Sequence, residues 1–149
     1  MDSTREFVPF RNKVVMGEQV IDPSIWTNEH LASSEDWIYH LTNVEIGILL
    51  GMVKIYRKKF GNDPNALLRT TKKDFQLGVF SETLNKINHQ LKDGLGIVLL
   101  RGLPIEEIPL IDAAVIYWGI GRHIGEAMAN NPEGDMFGHV RDEGLDYLH

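Results

Sequence analysis

The sequence predicts a mixed α/β (α+β) protein with helices flanking an incomplete sheet. Three observations carry this. Two segments repeat apolar residues at helical spacing: Val44, Ile48, Met52 and Ile55, then Phe80, Leu84, Ile87 and Leu91. A short apolar run, Ile97-Val98-Leu99-Leu100, is bounded by Gly96 and Gly102 and reads as a buried strand. Asp36 to Leu41 is rich in strand formers, with Trp37, Tyr39 and Leu41 on one face and Ile38 and His40 on the other.

Residues 1–35 mix prolines, glycine and polar residues and read as an extended arm with a short strand or two. The unit of interest is 36–149. Its first helix starts at Thr42, because Thr42 followed three places on by Glu45 is a capping box. Leu49, Leu50 and Val53 widen its apolar face, and Gly61-Asn62-Asp63-Pro64 stops it. A polar connection through Thr70-Thr71-Lys72-Lys73 leads to the second helix, which Gly94 ends. After the buried strand, Leu103-Pro104 turns the chain into a third helix, Leu110 to Trp118, with Ile111, Ala114, Val115 and Trp118 inward. Gly119, Gly121 and Gly125 are expected to end it. Asn130 to Gly134 is a loop, and Met136 to Asp142 reads as another strand. Few residues follow to pair with that strand, so the sheet is expected to be unfinished.

Composition excludes several functions. The chain has no cysteine, so disulfides, thiolate metal sites and cysteine nucleophiles are absent. Its 15 Lys and Arg against 21 Asp and Glu give a formal net charge of −6, which argues against a broad nucleic-acid surface. The basic cluster Lys54, Arg57, Lys58 and Lys59 falls at a helix C-terminus, where cations complement the dipole. The first residues lack the pattern of a signal peptide, and no apolar run is long enough to span a bilayer, so a cytoplasmic location is expected.

No catalytic constellation is complete. Gly119-Ile120-Gly121-Arg122-His123-Ile124-Gly125 has the glycines of a dinucleotide-binding loop, but such a loop follows a strand and opens a helix. Here the glycines follow a helix, where they serve as a helix end and a place of tight packing. His139 and Asp142 stand three apart; on a strand that puts them on opposite faces, so they do not form a metal pair without a bulge. His123 reads as structural or substrate-proximal. The chain holds no His-x-Asp, no Gly-x-Ser-x-Gly and no phosphate-binding P-loop.

Three segments in order carry a resemblance: Asp36-Trp37 through Leu41-Thr42 into Glu45-Ile46; Gly94-Leu95-Gly96-Ile97-Val98-Leu99-Leu100-Arg101-Gly102-Leu103-Pro104; and Tyr117-Trp118-Gly119-Ile120-Gly121-Arg122-His123-Ile124-Gly125. Together they resemble the N-terminal portion of the TauD/TfdA-like dioxygenases, over roughly residues 36 to 142. The resemblance implies the N-terminal part of a clavaminate-synthase-like double-stranded β-helix. It also implies a parent enzyme that uses Fe(II) and 2-oxoglutarate to oxidise a small molecule, with iron on His-x-Asp and a distant His. That first metal motif is expected beyond His149, so no iron ligand and no 2-oxoglutarate arginine carries over. No catalytic or metal-binding residue is assigned, and neither cofactor is expected to bind this chain alone. The resemblance places Asn130 near a substrate-contacting position; the residues themselves read Asn130 and Asn131 as turn formers before Pro132. The alternative is a truncated, non-catalytic chain that binds a partner or completes another chain's sheet, as a homo-oligomer or with a complementing chain.

Overall fold

A computed structural model describes residues 15–61, 63–129, 131–132 and 134–138. Its elements run α1 (Asn28–Ser33), β1 (Ile38–His40), α2 (Asn43–Phe60), α3 (Pro64–Leu68), α4 (Phe80–Asp93), β2 (Leu99–Arg101) and α5 (Leu110–Ile124). Short 3-10 turns occupy Lys72–Asp74 and Ile105–Glu107. The arrangement is mixed α and β. β1 and β2 pair in parallel, with Ile38 opposite Leu99 and His40 opposite Arg101. Parallel neighbours need a crossover, and α2, α3 and α4 provide it. Among the described residues these two strands are the whole sheet.

α2 begins where its capping box predicts. Thr42 Oγ1 accepts from the Glu45 N–H at 3.3 Å, and Glu45 Oε2 accepts from the Thr42 N–H at 2.9 Å. Gly61, at φ 67°, ends the helix in a conformation that side chains resist. The buried face differs from the expected one. Val44 and Ile55 are 66% and 60% exposed, whereas Glu45, Leu49, Met52, Val53 and Tyr56 are buried. The helix is rotated by about one residue because Glu45 finds enough donors inside to leave water.

The expected polar connection contains core residues. α3 and the turn at Lys72–Asp74 lead into Phe75 and Leu77, each 1% exposed. A second reciprocal cap forms here: Asp74 Oδ2 accepts from the Thr71 N–H at 2.8 Å and from its hydroxyl at 3.0 Å. α4 buries Phe80, Leu84 and Ile87 as its periodicity predicts, and Gly94 caps it. A Cβ on Gly94 would lie 2.8 Å from the Gln90 carbonyl oxygen.

α5 runs on to Ile124, through Gly119 and Gly121; of the three glycines expected to end it, Gly125 is the cap. Gly119 is buried, and a Cβ there would stand 3.0 Å from Met52 Cε and Sδ and from Phe75 Cδ1. The glycine lets α5 approach α2 closely, and that packing outweighs a helix-propensity cost of about 1 kcal/mol. Val115, Ile116 and Trp118 fill the same core, while Ile111 and Ala114 are half-buried. Trp118 Nε1 donates to Thr70 Oγ1 at 3.0 Å, so both buried polar groups are paired.

The arm contains a helix rather than a strand among the described residues of 15–35. Thr27 caps α1, and Trp26 Nε1 donates to the Leu95 carbonyl at 3.1 Å, tying the arm to the loop before β2. Of the strand expected over Met136 to Asp142, residues 136–138 are irregular and 139–142 lie outside the described residues.

Candidate functional site

A groove of about 830 Å³ opens between the end of the sheet and α5. Leu41, Leu49 and Leu100 form its inner wall. Leu110, Ala113, Tyr117 and Ile120, spaced three, four and three along α5, form the outer wall, and Met136 and Phe137 close one side. Phe137 meets the Tyr117 ring edge-on, with centroids 5.6 Å apart. Leu110 and Tyr117 are 66% and 71% exposed, so α5 is apolar on its solvent side as well as its core side. A helix apolar on two sides is built to be covered on both.

Gly102 shapes the groove where β2 leaves the sheet. Its φ is 102°, and a Cβ there would sit 3.5 Å from the Leu41 carbonyl oxygen. The Leu41 N–H donates to the Arg101 carbonyl at 2.8 Å, which joins the two strand ends into one wall. Among the described residues none in the lining carries a charge. The groove can surround an apolar group and exclude water; among the described residues its lining offers no carboxylate, imidazole or amine, and Tyr117 carries its one side-chain hydroxyl.

Beside this wall lies the buried carboxylate of Glu45, 6% exposed. Its Oε1 accepts the hydroxyls of Tyr39 and Thr83, both at 2.8 Å, and its Oε2 accepts the N–H and hydroxyl of Thr42, both at 2.9 Å. Burial pushes its pKa up, but hydrogen bonds from the Thr42 backbone, Thr83, Tyr39 and the Thr42 hydroxyl together hold it below the ordinary value. The Thr83 hydroxyl lowers the Tyr39 pKa, while burial and the Glu45 carboxylate outweigh it and raise the phenol above its usual range.

Asn130, His139 and Asp142 lie outside the described residues. The glycine cluster lies within and just after α5, not between a strand and a helix N-terminus, so it does not form a dinucleotide loop. His123 Nε2 lies 2.6 Å from the Phe75 carbonyl oxygen, a structural contact between α5 and the core segment. Arg122 Nε is buried without a hydrogen-bond partner among the described residues. The basic cluster is partly consumed by ion pairs: Arg57 to Asp112 and Lys59 to Asp74, both at 2.6 Å. Among the described residues no three His, Cys, Asp or Glu side chains are grouped to hold a metal ion, so these residues do not fit an iron centre. No helix among them is long and apolar enough to cross a membrane.

The sequence reading missed the groove. Its signal was the second apolar stripe of α5, Leu110, Ala113, Tyr117 and Ile120, alongside the inward one.

No protein-family model matches the chain. Over 131 residues, 87% of its length, the chain is 24% identical to FR-33289 synthase of Streptomyces rubellomurinus (strain ATCC 31215). The match covers 37% of that protein, so the chain spans well under half of its relative's length. The chain is thus distantly similar to part of an enzyme.

Proposed function

We propose that this chain is the N-terminal part of a non-haem Fe(II)/2-oxoglutarate-dependent dioxygenase that oxidises a small molecule. The observation that carries the reading is the ordered set of three segments resembling TauD/TfdA-like dioxygenases. The distant likeness to a synthase over 87% of the chain supports an enzyme parent. In the parent, bound iron with 2-oxoglutarate would supply the oxidising chemistry. The part of the chain described here supplies packing: a helical layer holding two strands, and an apolar groove beside the segment that follows Gly125. In this reading that segment lines the substrate side, and the resemblance assigns Asn130 a substrate-contacting role.

The test is turnover by the protein expressed from the extended reading frame. With Fe(II) and 2-oxoglutarate it should form succinate in step with oxidation of a small-molecule substrate. Succinate formation without iron dependence would overturn the reading. The 149-residue chain alone is expected to bind Fe(II) no better than a surface histidine does; a tight stoichiometric site in calorimetry would contradict this.

A second reading rests on the open groove and the two-stranded sheet. Short two-stranded sheets are marginal alone, and exposed apolar faces favour association. In this reading the chain is non-catalytic and completes, or is completed by, another polypeptide. Light scattering with and without the candidate partner tests it, and a monomer that never associates counts against it.

A further inference from the structure

We infer that Glu45 is a positioning residue for the groove, a carboxylate clamp that fixes the wall made by Leu41 and Leu49. The inference rests on the proposed dioxygenase reading, extended to take the groove beside the segment after Gly125 as a ligand-facing surface. Leu41 stands between Tyr39 and Thr42, and both of those residues donate to the Glu45 carboxylate. Leu49 lies one turn along α2 from Glu45 and is fully buried. The carboxylate therefore holds the chain on both sides of one wall residue and lies on the same helix face as the other. Thr83 adds a donor from α4, so one side chain joins β1, the start of α2 and α4. The Leu41 N–H passes the constraint on to β2 through the Arg101 carbonyl.

These four donors are neutral and directional. The array therefore fixes position more than it supplies charge attraction. An apolar side chain at this position would seal the core but leave three hydroxyls and an N–H without their acceptor. Glutamine is the conservative replacement: its oxygen can face Thr42, and the Tyr39 and Thr83 hydroxyls can turn to accept from its amide.

Amide hydrogen exchange on the full 149-residue chain separates this role from a general contribution to stability. In Glu45→Ala and Thr83→Val the Leu41 and Leu99 amides should exchange about tenfold faster relative to those of Ile116 and Trp118, the loss of roughly one net hydrogen bond. Glu45→Gln should recover most of the protection. Asp74→Asn, which releases a cap and an ion pair elsewhere, should not single out the sheet amides. If Glu45→Ala does not fold, Thr83→Val and Tyr39→Phe read the same claim. Exchange that rises equally at all amides, or at none, would overturn it. Binding of anilinonaphthalene sulfonate gives the second readout: affinity should fall in Thr83→Val and return in Glu45→Gln. A wild-type chain that takes up none of this probe would count against the ligand-facing groove, while the exchange pattern still decides whether Glu45 is the clamp.

Discussion

The hydroxyl of Thr83 on α4 donates to Glu45 Oε1 on α2 at 2.8 Å, across 38 residues of sequence. This contact helps keep a buried carboxyl ionised, and it makes the fold sensitive to acid. Glu45 has its folded pKa below 4.5, and Asp74 is lowered from 3.8 to about 2, chiefly by Lys59 and the Thr71 backbone. A carboxyl whose folded pKa is depressed contributes stability that is complete above its unfolded pKa and is lost as pH falls through its folded pKa. Urea unfolding should therefore show a decline in stability that sets in below about pH 4.5 and continues towards about pH 2. The double variant Glu45→Gln, Asp74→Asn should start less stable and decline less steeply. Equal slopes for the two proteins would contradict the assignment.

Two glycines in one helix should respond in opposite directions. Gly119→Ala drives a Cβ to 3.0 Å from Met52 and Phe75 in the core and should destabilise by about 1–3 kcal/mol. Gly121→Ala meets nothing within 4 Å and should stabilise by up to about 1 kcal/mol through helix propensity. Thermal unfolding of the two variants checks this. A nucleotide loop would instead require both glycines for the ligand's close approach, with no such split in stability.

Groove residues on the exposed stripe of α5 should separate binding from folding. Leu110→Glu changes a side chain 66% exposed and should alter stability by no more than about 0.5 kcal/mol. It should nonetheless abolish uptake of an apolar fluorescent probe, because it puts a charge on an otherwise uncharged wall. Leu49→Ala, at a fully buried position in the inner wall, should cost about 2–5 kcal/mol. Equal stability losses for both would contradict the placement of the groove.

The elements were legible where local chemistry dominates. Thr42 with Glu45 marks the start of α2, and Phe80, Leu84 and Ile87 give the buried face of α4. The errors arose where tertiary context decides. Hydropathy puts Val44 and Ile55 inside, yet Glu45 and Tyr56 are buried, because four donors await the carboxylate and Phe75 stacks 6.1 Å from the Tyr56 ring. Phe75 and Leu77 were hidden in a stretch of lysines and threonines whose helical turns are too short to show a period. Gly119 resembles a helix end in sequence; only its contact with Met52 and Phe75 shows why the helix continues. Asn130 was reached through resemblance alone and lies outside the described residues. The groove needs β2 and α5 placed together, which no single segment encodes.

A dioxygenase parent would hold its iron on residues that follow His149. Sequencing the gene and its transcript past the codon for His149 tests this most directly. The expected result is an open reading frame that carries a His-x-Asp motif soon after this point, with a further histidine and a nearby arginine later on. A frame that lacks His-x-Asp and the later histidine would contradict it.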